Sequence, residues 1–523
     1  MFRIASAVAA LAGLSLATGL AAQEHAHPAT PRLGTVHFTS SCAPSVASEF
    51  DRGIALLHSF EFGASTKAFE GVLASDSTCA MAWWAIALNR WGNPMVPNIR
   101  PAAALERGRQ AAEAAARAGT DASERERGYI AAVSELYADH ANRDQRTRVL
   151  AYERAMGELA ARYPEDNEAK IFHAIALAGA APPTDKSYAN QLKAGAILEE
   201  LFRQQPDHPG VTHYIIHSYD VPALAERATA AARRYADIAP DAAHALHMPS
   251  HTFTRVGMWN ESVGSNLRSM DAADRASSIA EALHAADYAV YAYLQMRRDS
   301  AARALMQKLP GLAARFDPSA VTGAAPGSAG LFALAAIPAR YALERSDWAA
   351  AAELAPAPTA FPYTEALTHF ARALGAARLG DTARARVSVD SLAALQTRLV
   401  ASREADWAEQ VAIQQLGASA WLDLSAGRRD AALEKMRQAA VREDATEKAP
   451  VTPGPLAPAR ELLGDMLMEL RRPAEALAEY RKSFAREPNR YRSLRGAADA
   501  ASAAGDKEAA RQYTREIEKL TRP

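Results

Sequence analysis

The chain has 523 residues, and its 59 Lys and Arg nearly cancel its 60 Asp and Glu, for a net charge of −1. Such a length exceeds one compact core and points to several domains or a repeat array. The balanced charge excludes the basic surplus that draws proteins to nucleic-acid phosphates. Alanine dominates many segments and alternating runs of Val, Ile and Thr are scarce, so the chain reads as nearly all helix.

In chain order, Arg3, the apolar run Ile4 to Leu20 and the small residues Gly19, Ala21 and Ala22 read as a cleaved signal peptide over 1–22. A tail, 23–43, follows. No later stretch is long and apolar enough to span a bilayer, so the mature protein is expected to be periplasmic or secreted, with no membrane span. Export gives meaning to Cys42 and Cys79, the only two cysteines. An oxidising compartment permits a disulfide between them, and both precede predicted helices about one repeat apart. The absence of C-x-x-C argues against a redox-active pair.

Residues 44–315 are expected to form an N-terminal array of helix hairpins. Gly53 precedes Phe69 by sixteen residues, a spacing that returns at Gly464 and Tyr480. Six of the fourteen histidines then fall between His208 and His251. His213 and His217 lie four apart, and His247 and His251 repeat the pair 34 residues later. Residues at i and i+4 share one face of a helix, one turn apart. Pro249 interrupts the second pair and is expected to kink its helix, turning His244 and His247 relative to His251. A Pro-, Gly- and Ala-rich stretch, 316–330, reads as a loop or hinge. Middle repeats over 331–442 carry turn signals at Gly380-Asp381 and Gly427-Arg428. A second loop, 443–458, precedes C-terminal repeats over 459–523.

The clearest repeat runs from Ala457 to Arg490, with Leu463-Gly464, Ala476, Tyr480 and Pro488 at characteristic spacing. These residues resemble the tetratricopeptide-repeat family, whose period is about 34 residues. The segments from His208 to His213 and from His244 to His251 look like parts of exported bacterial members of that family. The resemblance implies an all-α, tetratricopeptide-type helix-hairpin solenoid, a right-handed superhelix whose concave groove binds a protein or peptide partner. In the family's register the groove-facing positions are His213, His217 and Asp220, then His244, His247 and His251, then His284, Asp287 and Tyr291.

Two functions compete on these residues. One is a scaffold that holds a partner in the groove. The other is a metal-binding protein in which His213, His217, His247 and His251 hold one ion of zinc or copper, with Asp220 or Asp287 as an alternative oxygen ligand. Neutral imidazole suits both metals, and an i, i+4 pair chelates readily. A metal-dependent hydrolase is the less expected variant of the second reading. The H-E-x-x-H arrangement, a Gly-rich phosphate loop and a nucleophile elbow are all missing, and no catalytic residue is assigned.

Overall fold

The computed structural model describes residues 31–96, 100–182 and 184–522. The expected signal peptide, 1–22, and residues 23–30 of the tail lie outside the described residues. Arg32–Pro523 forms one compact unit. Among the described residues the secondary structure is helix throughout, with 26 α-helices and no strand. Successive helices pack on one another as hairpins, which makes the fold an all-α helix-hairpin array. No helix is long and apolar enough to cross a membrane among the described residues.

The hairpins close where the sequence spacing places them. A Cβ on Gly53 would lie 2.7 Å from the Phe69 ring, and one on Gly464 would lie 2.7 Å from Tyr480. The two helices of each hairpin therefore cross closely enough that only glycine fits beneath the aromatic ring. Turns between helices use left-handed residues, among them Gly380, Gly427 and Gly505. Asp381 and Asp506 follow two of these glycines, and their carboxylates accept the backbone N–H groups of Arg384 and Ala509, capping the next helix.

The apolar core runs as consecutive layers. One spans Leu33 to Ala324, a second centres on Leu283 and Val290, and a third runs from Phe332 to Tyr513. The described part of the tail belongs to the first layer: Leu33, Val36 and Phe38 are buried, and Thr35 N donates to Asp207 O at 3.0 Å. Cys42 and Cys79 are joined as a disulfide, with Cα atoms 4.7 Å apart. It ties the end of the tail to the start of the helix Ala80–Trp91.

The two loops have defined work. Residues 314–326 join the helix Leu309–Ala313 to Gly327–Glu344, so the helix begins inside the stretch that reads as loop. Residues 445–458 join Arg429–Asp444 to Ala459–Glu469 and cross to the histidine-bearing helices. Tyr288 Oη donates to Pro450 O and Thr452 O at 3.0 Å each, and Lys448 Nζ reaches Asp220 Oδ2 at 3.3 Å. Arg340 donates to Thr452 Oγ1 at 2.7 Å and to Gly454 O at 2.8 Å. This strap joins the start of the C-terminal repeats to Asp220, Tyr288 and Arg340.

Candidate metal centre

Three short helices and one long one carry the histidines. His213 and His217 lie on Pro209–Ser218, His244 and His247 on Ala243–His247, His251 on Pro249–Arg255, and His284 on Ile279–Gln295. Pro249 occupies the first turn of its helix, where its missing N–H breaks no hydrogen bond, and Met248 marks the break between the two pieces. The break leaves His247 and His251 adjacent, with their Nε2 atoms 3.0 Å apart. All six histidines are buried, none more than 6% exposed.

The nitrogens converge as two threes. Ligand atoms of His213, His217 and His244 lie within 4.8 Å of one another, and so do those of His247, His251 and His284. The single site expected from His213, His217, His247 and His251 is thus corrected: each pair takes a third histidine from a neighbouring helix. The reason is the order of stacking. Ala243–His247 lies between its neighbours, so His244 meets His213 with ring centres 5.0 Å apart, while His247 meets His284 at 4.5 Å.

Hydrogen bonding fixes the tautomers of four of the rings. His213 Nδ1 donates to His58 O at 2.6 Å, and His244 Nδ1 donates to Glu281 Oε1 at 2.8 Å. His247 Nδ1 donates to Asn266 Oδ1 at 2.6 Å, and His251 Nδ1 donates to Asp220 Oδ2 at 2.9 Å. Asn266 presents its oxygen because its Nδ2 donates to Ser262 O at 2.7 Å. Each of these rings, when neutral, turns a bare Nε2 lone pair inward. His213 Nε2, His244 Nε2, both nitrogens of His217 and His284 Nδ1 are buried without a hydrogen-bond partner. Buried polar atoms are rarely left so, and a ring whose outer N–H is tied to oxygen while its inner nitrogen is bare has the form of a metal ligand.

Electrostatics favours the neutral form of His213, His217, His247, His251 and His284. Burial pushes the His213, His217 and His247 imidazoles well below their ordinary value, and neighbouring histidines push the same way. Burial takes His284 down to about 3 despite the opposing pull of Glu281. Burial would raise the Asp220 carboxyl, but Lys448 and Arg255 hold it well below the carboxylate range. Burial likewise opposes ionisation of Glu281, and His244 together with the Ala325 N–H overcomes it. Ala325 N donates to Glu281 Oε2 at 2.9 Å, so the 314–326 loop steadies a residue that steadies His244.

Two residues expected on this wall sit elsewhere. Asp287 receives Arg340 Nε at 2.8 Å, and Tyr291 lies against Glu487 and Arg490. On Ile279–Gln295 the face that meets the histidines carries His284 and Tyr288, whose ring centre is 4.9 Å from His247 and 5.0 Å from His251. His284 sits where the register expects it, while one turn on the cluster meets Tyr288 rather than its neighbour Asp287, about 100° away around the helix. Asp220 is at the cluster as an outer partner of His251, bound also by Arg255 Nε at 2.8 Å. Sequence reasoning passed over His58, Glu281, Asn266, Arg255, Tyr288 and Lys448. Glu281 and Arg255 had a local signal, being three residues before His284 and four after His251.

A neighbouring trio of two histidines and Glu168 shows the contrast. His58 Nε2 and His208 Nε2 each bond Glu168 at 2.9 Å, while His58 Nδ1 meets Tyr214 Oη and His208 Nδ1 accepts Val211 N–H. Every nitrogen there has a partner, so the trio is a closed structural network.

No family model and no curated protein matches the chain. Solved structures similar to it include a crystal structure of the APC/C hetero-tetramer Cut9–Hcn1. That match has 12% identity over 89% of this chain and 78% of that one, with a TM-score of 0.36. Another is the structure of Naa15/Naa10 bound to HypK-THB, with 12% identity over 91% of this chain and 73% of that one and a TM-score of 0.24. Neither likeness bears on the histidines.

Proposed function

We propose that this chain is an exported helical-repeat protein whose function is to hold a transition metal, zinc or copper, within its histidine cluster. The observation that carries the reading is the convergence of His213 Nε2, His217 and His244 Nε2 as buried, unpartnered nitrogens. Two of the three rings are aimed by outer hydrogen bonds to His58 O and Glu281. A cation that accepts the inner lone pairs satisfies atoms that otherwise cost about 1–3 kcal/mol each to bury. The scaffold reading keeps one supporting observation: the inner wall receives an extended segment, the chain's own strap around Lys448 to Gly454. In this proposal groove binding is intramolecular, and the strap covers the metal.

Metal analysis of protein purified without an affinity tag tests the reading. At least one equivalent of zinc or copper per chain is expected, lost in His213→Ala/His244→Ala while far-UV circular dichroism stays helical. Protein that retains no metal after dialysis against micromolar zinc or copper would defeat it.

A further inference from the structure

We propose that the two histidine triads are paired copper sites, each taking one copper(I) ion, so that the centre holds two ions side by side. The proposal rests on the metal-binding reading above and deepens it in the number and identity of the ions.

The second triad repeats the construction of the first. In the first, His213 and His244 are tied at Nδ1 to oxygen acceptors and His217 completes the set. In the second, His247 and His251 are tied at Nδ1 to Asn266 and Asp220, and His284 completes it. The 3.0 Å approach of His247 Nε2 to His251 Nε2 is the sharper observation. With both Nδ1 protons committed to oxygen, neutral rings place two lone pairs face to face. Two acceptors at that distance repel unless a cation takes both. Metal–imidazole bonds of about 2.0–2.1 Å require nitrogens on one ion to lie within about 4 Å of each other. The ligand atoms of each triad lie within 4.8 Å of one another, close to that span, so each three can close on an ion of its own.

The charge around the cluster selects the ion. Neither triad includes a carboxylate or a thiolate among its ligand groups. Asp220 and Glu281 are engaged at the outer nitrogens, and Asp220 also receives both Arg255 and Lys448, two positive charges against one negative. Lys448 and Asp220 side chains are only 5% and 8% exposed, so water does little to screen them. Asp220, Glu281 and Glu61 set three carboxyl groups against Arg255 and Lys448, and the four further positive charges of two divalent ions would exceed them, leaving costly buried charge without a counter-charge. Copper(I) brings half that charge, and imidazole is an accepted copper ligand.

Anaerobic titration of the full-length mature protein with copper(I), against a chromophoric copper(I) chelator, reads the stoichiometry directly. The expected result is two equivalents per chain, falling to one in His217→Ala, to one in His284→Phe, and to none in the double variant. X-ray absorption of the loaded wild type, which needs no variant, should show about three nitrogen scatterers per copper and no sulfur. Saturation at one equivalent that is lost only in His217→Ala would overturn the pair while leaving the metal-binding reading standing. Binding of no metal would remove both. Two equivalents of zinc held more tightly than copper would overturn the choice of copper.

Discussion

One helix, Ile279–Gln295, looks onto two buried polar regions that are built on opposite terms. On one face His284 and Tyr288 meet the histidines. On another, Asp287 and Tyr291 meet Arg340 and Arg490. Arg490 Nε donates to Glu461 at 2.7 Å and its Nη1 to Glu344 at 2.6 Å, while Arg492 and Ser493 complete the Glu461 carboxylate at 2.8 Å each. Every charge in that region has an opposite charge or a donor against it, which is how buried ions are tolerated. The histidine cluster has the same depth and the reverse condition: four of its rings are bonded to oxygen at Nδ1, while five buried ring nitrogens, both of His217 among them, have no hydrogen-bond partner. On the metal-binding proposal, the difference separates a network that completes itself from one that an ion completes.

The strongest way to break the contrast is Arg490→Met, which leaves Glu344 and Glu461 buried without their cation. A loss of about 3–5 kcal/mol is expected, read as a fall in the denaturant midpoint, and it should be the same with and without chelator. A midpoint that moves only in the presence of metal would show the two regions to be one. Next in size is the effect of metal itself. Wild-type protein with the ion at a hundredfold over its dissociation constant should gain about 2.7 kcal/mol over the chelated form. His213→Ala/His217→Ala should abolish that gain, and an undiminished gain in the variant would place the metal outside the cluster.

A smaller effect is expected from Tyr288→Phe, which removes the hydroxyl bonded to the strap at Pro450 O and Thr452 O. About 1 kcal/mol should be lost, with faster amide exchange over 446–454 and unchanged exchange around Arg490. Uniform acceleration across both regions would mean that the strap has no independent hold on the histidine wall. The smallest effect concerns Glu443, whose side chain accepts from Ala459 N at 2.7 Å at the base of the strap. Burial raises its carboxyl to about 7, above its ordinary value of 4.5. The folded state therefore holds the proton more tightly than the unfolded one. Its contribution is fully present below pH 4.5 and is lost as pH rises from there toward 7. Glu443→Gln should flatten stability across that window, and an unaltered pH profile would remove Glu443 as its cause.

Much of this was legible in the residues themselves. The sixteen-residue spacing from Gly53 to Phe69 and from Gly464 to Tyr480 is a local packing requirement, so it shows in sequence and returns as a close crossing in the fold. The paired histidines at the repeat period were visible for the same reason. Their division into two threes was not, because it depends on which neighbour each turn of Ala243–His247 faces. Tyr288 was passed over in favour of its neighbour Asp287 because one residue rotates the side chain about 100° around a helix. Lys448 carried no signal at all. It meets Asp220 across 228 residues of sequence, and nothing local to either marks the encounter.

That separation has a consequence for the order of events. Chains emerge from synthesis or export from the N-terminal end, and contacts between distant segments form last. The helices from Pro209–Ser218 to Ile279–Gln295 exist as sequence long before residues 445–458 arrive to cover them. The segment that crosses the histidine-bearing helices is therefore the last part of that neighbourhood to be synthesised. On the metal-binding proposal, an ion has its freest access to those helices before that segment is in place.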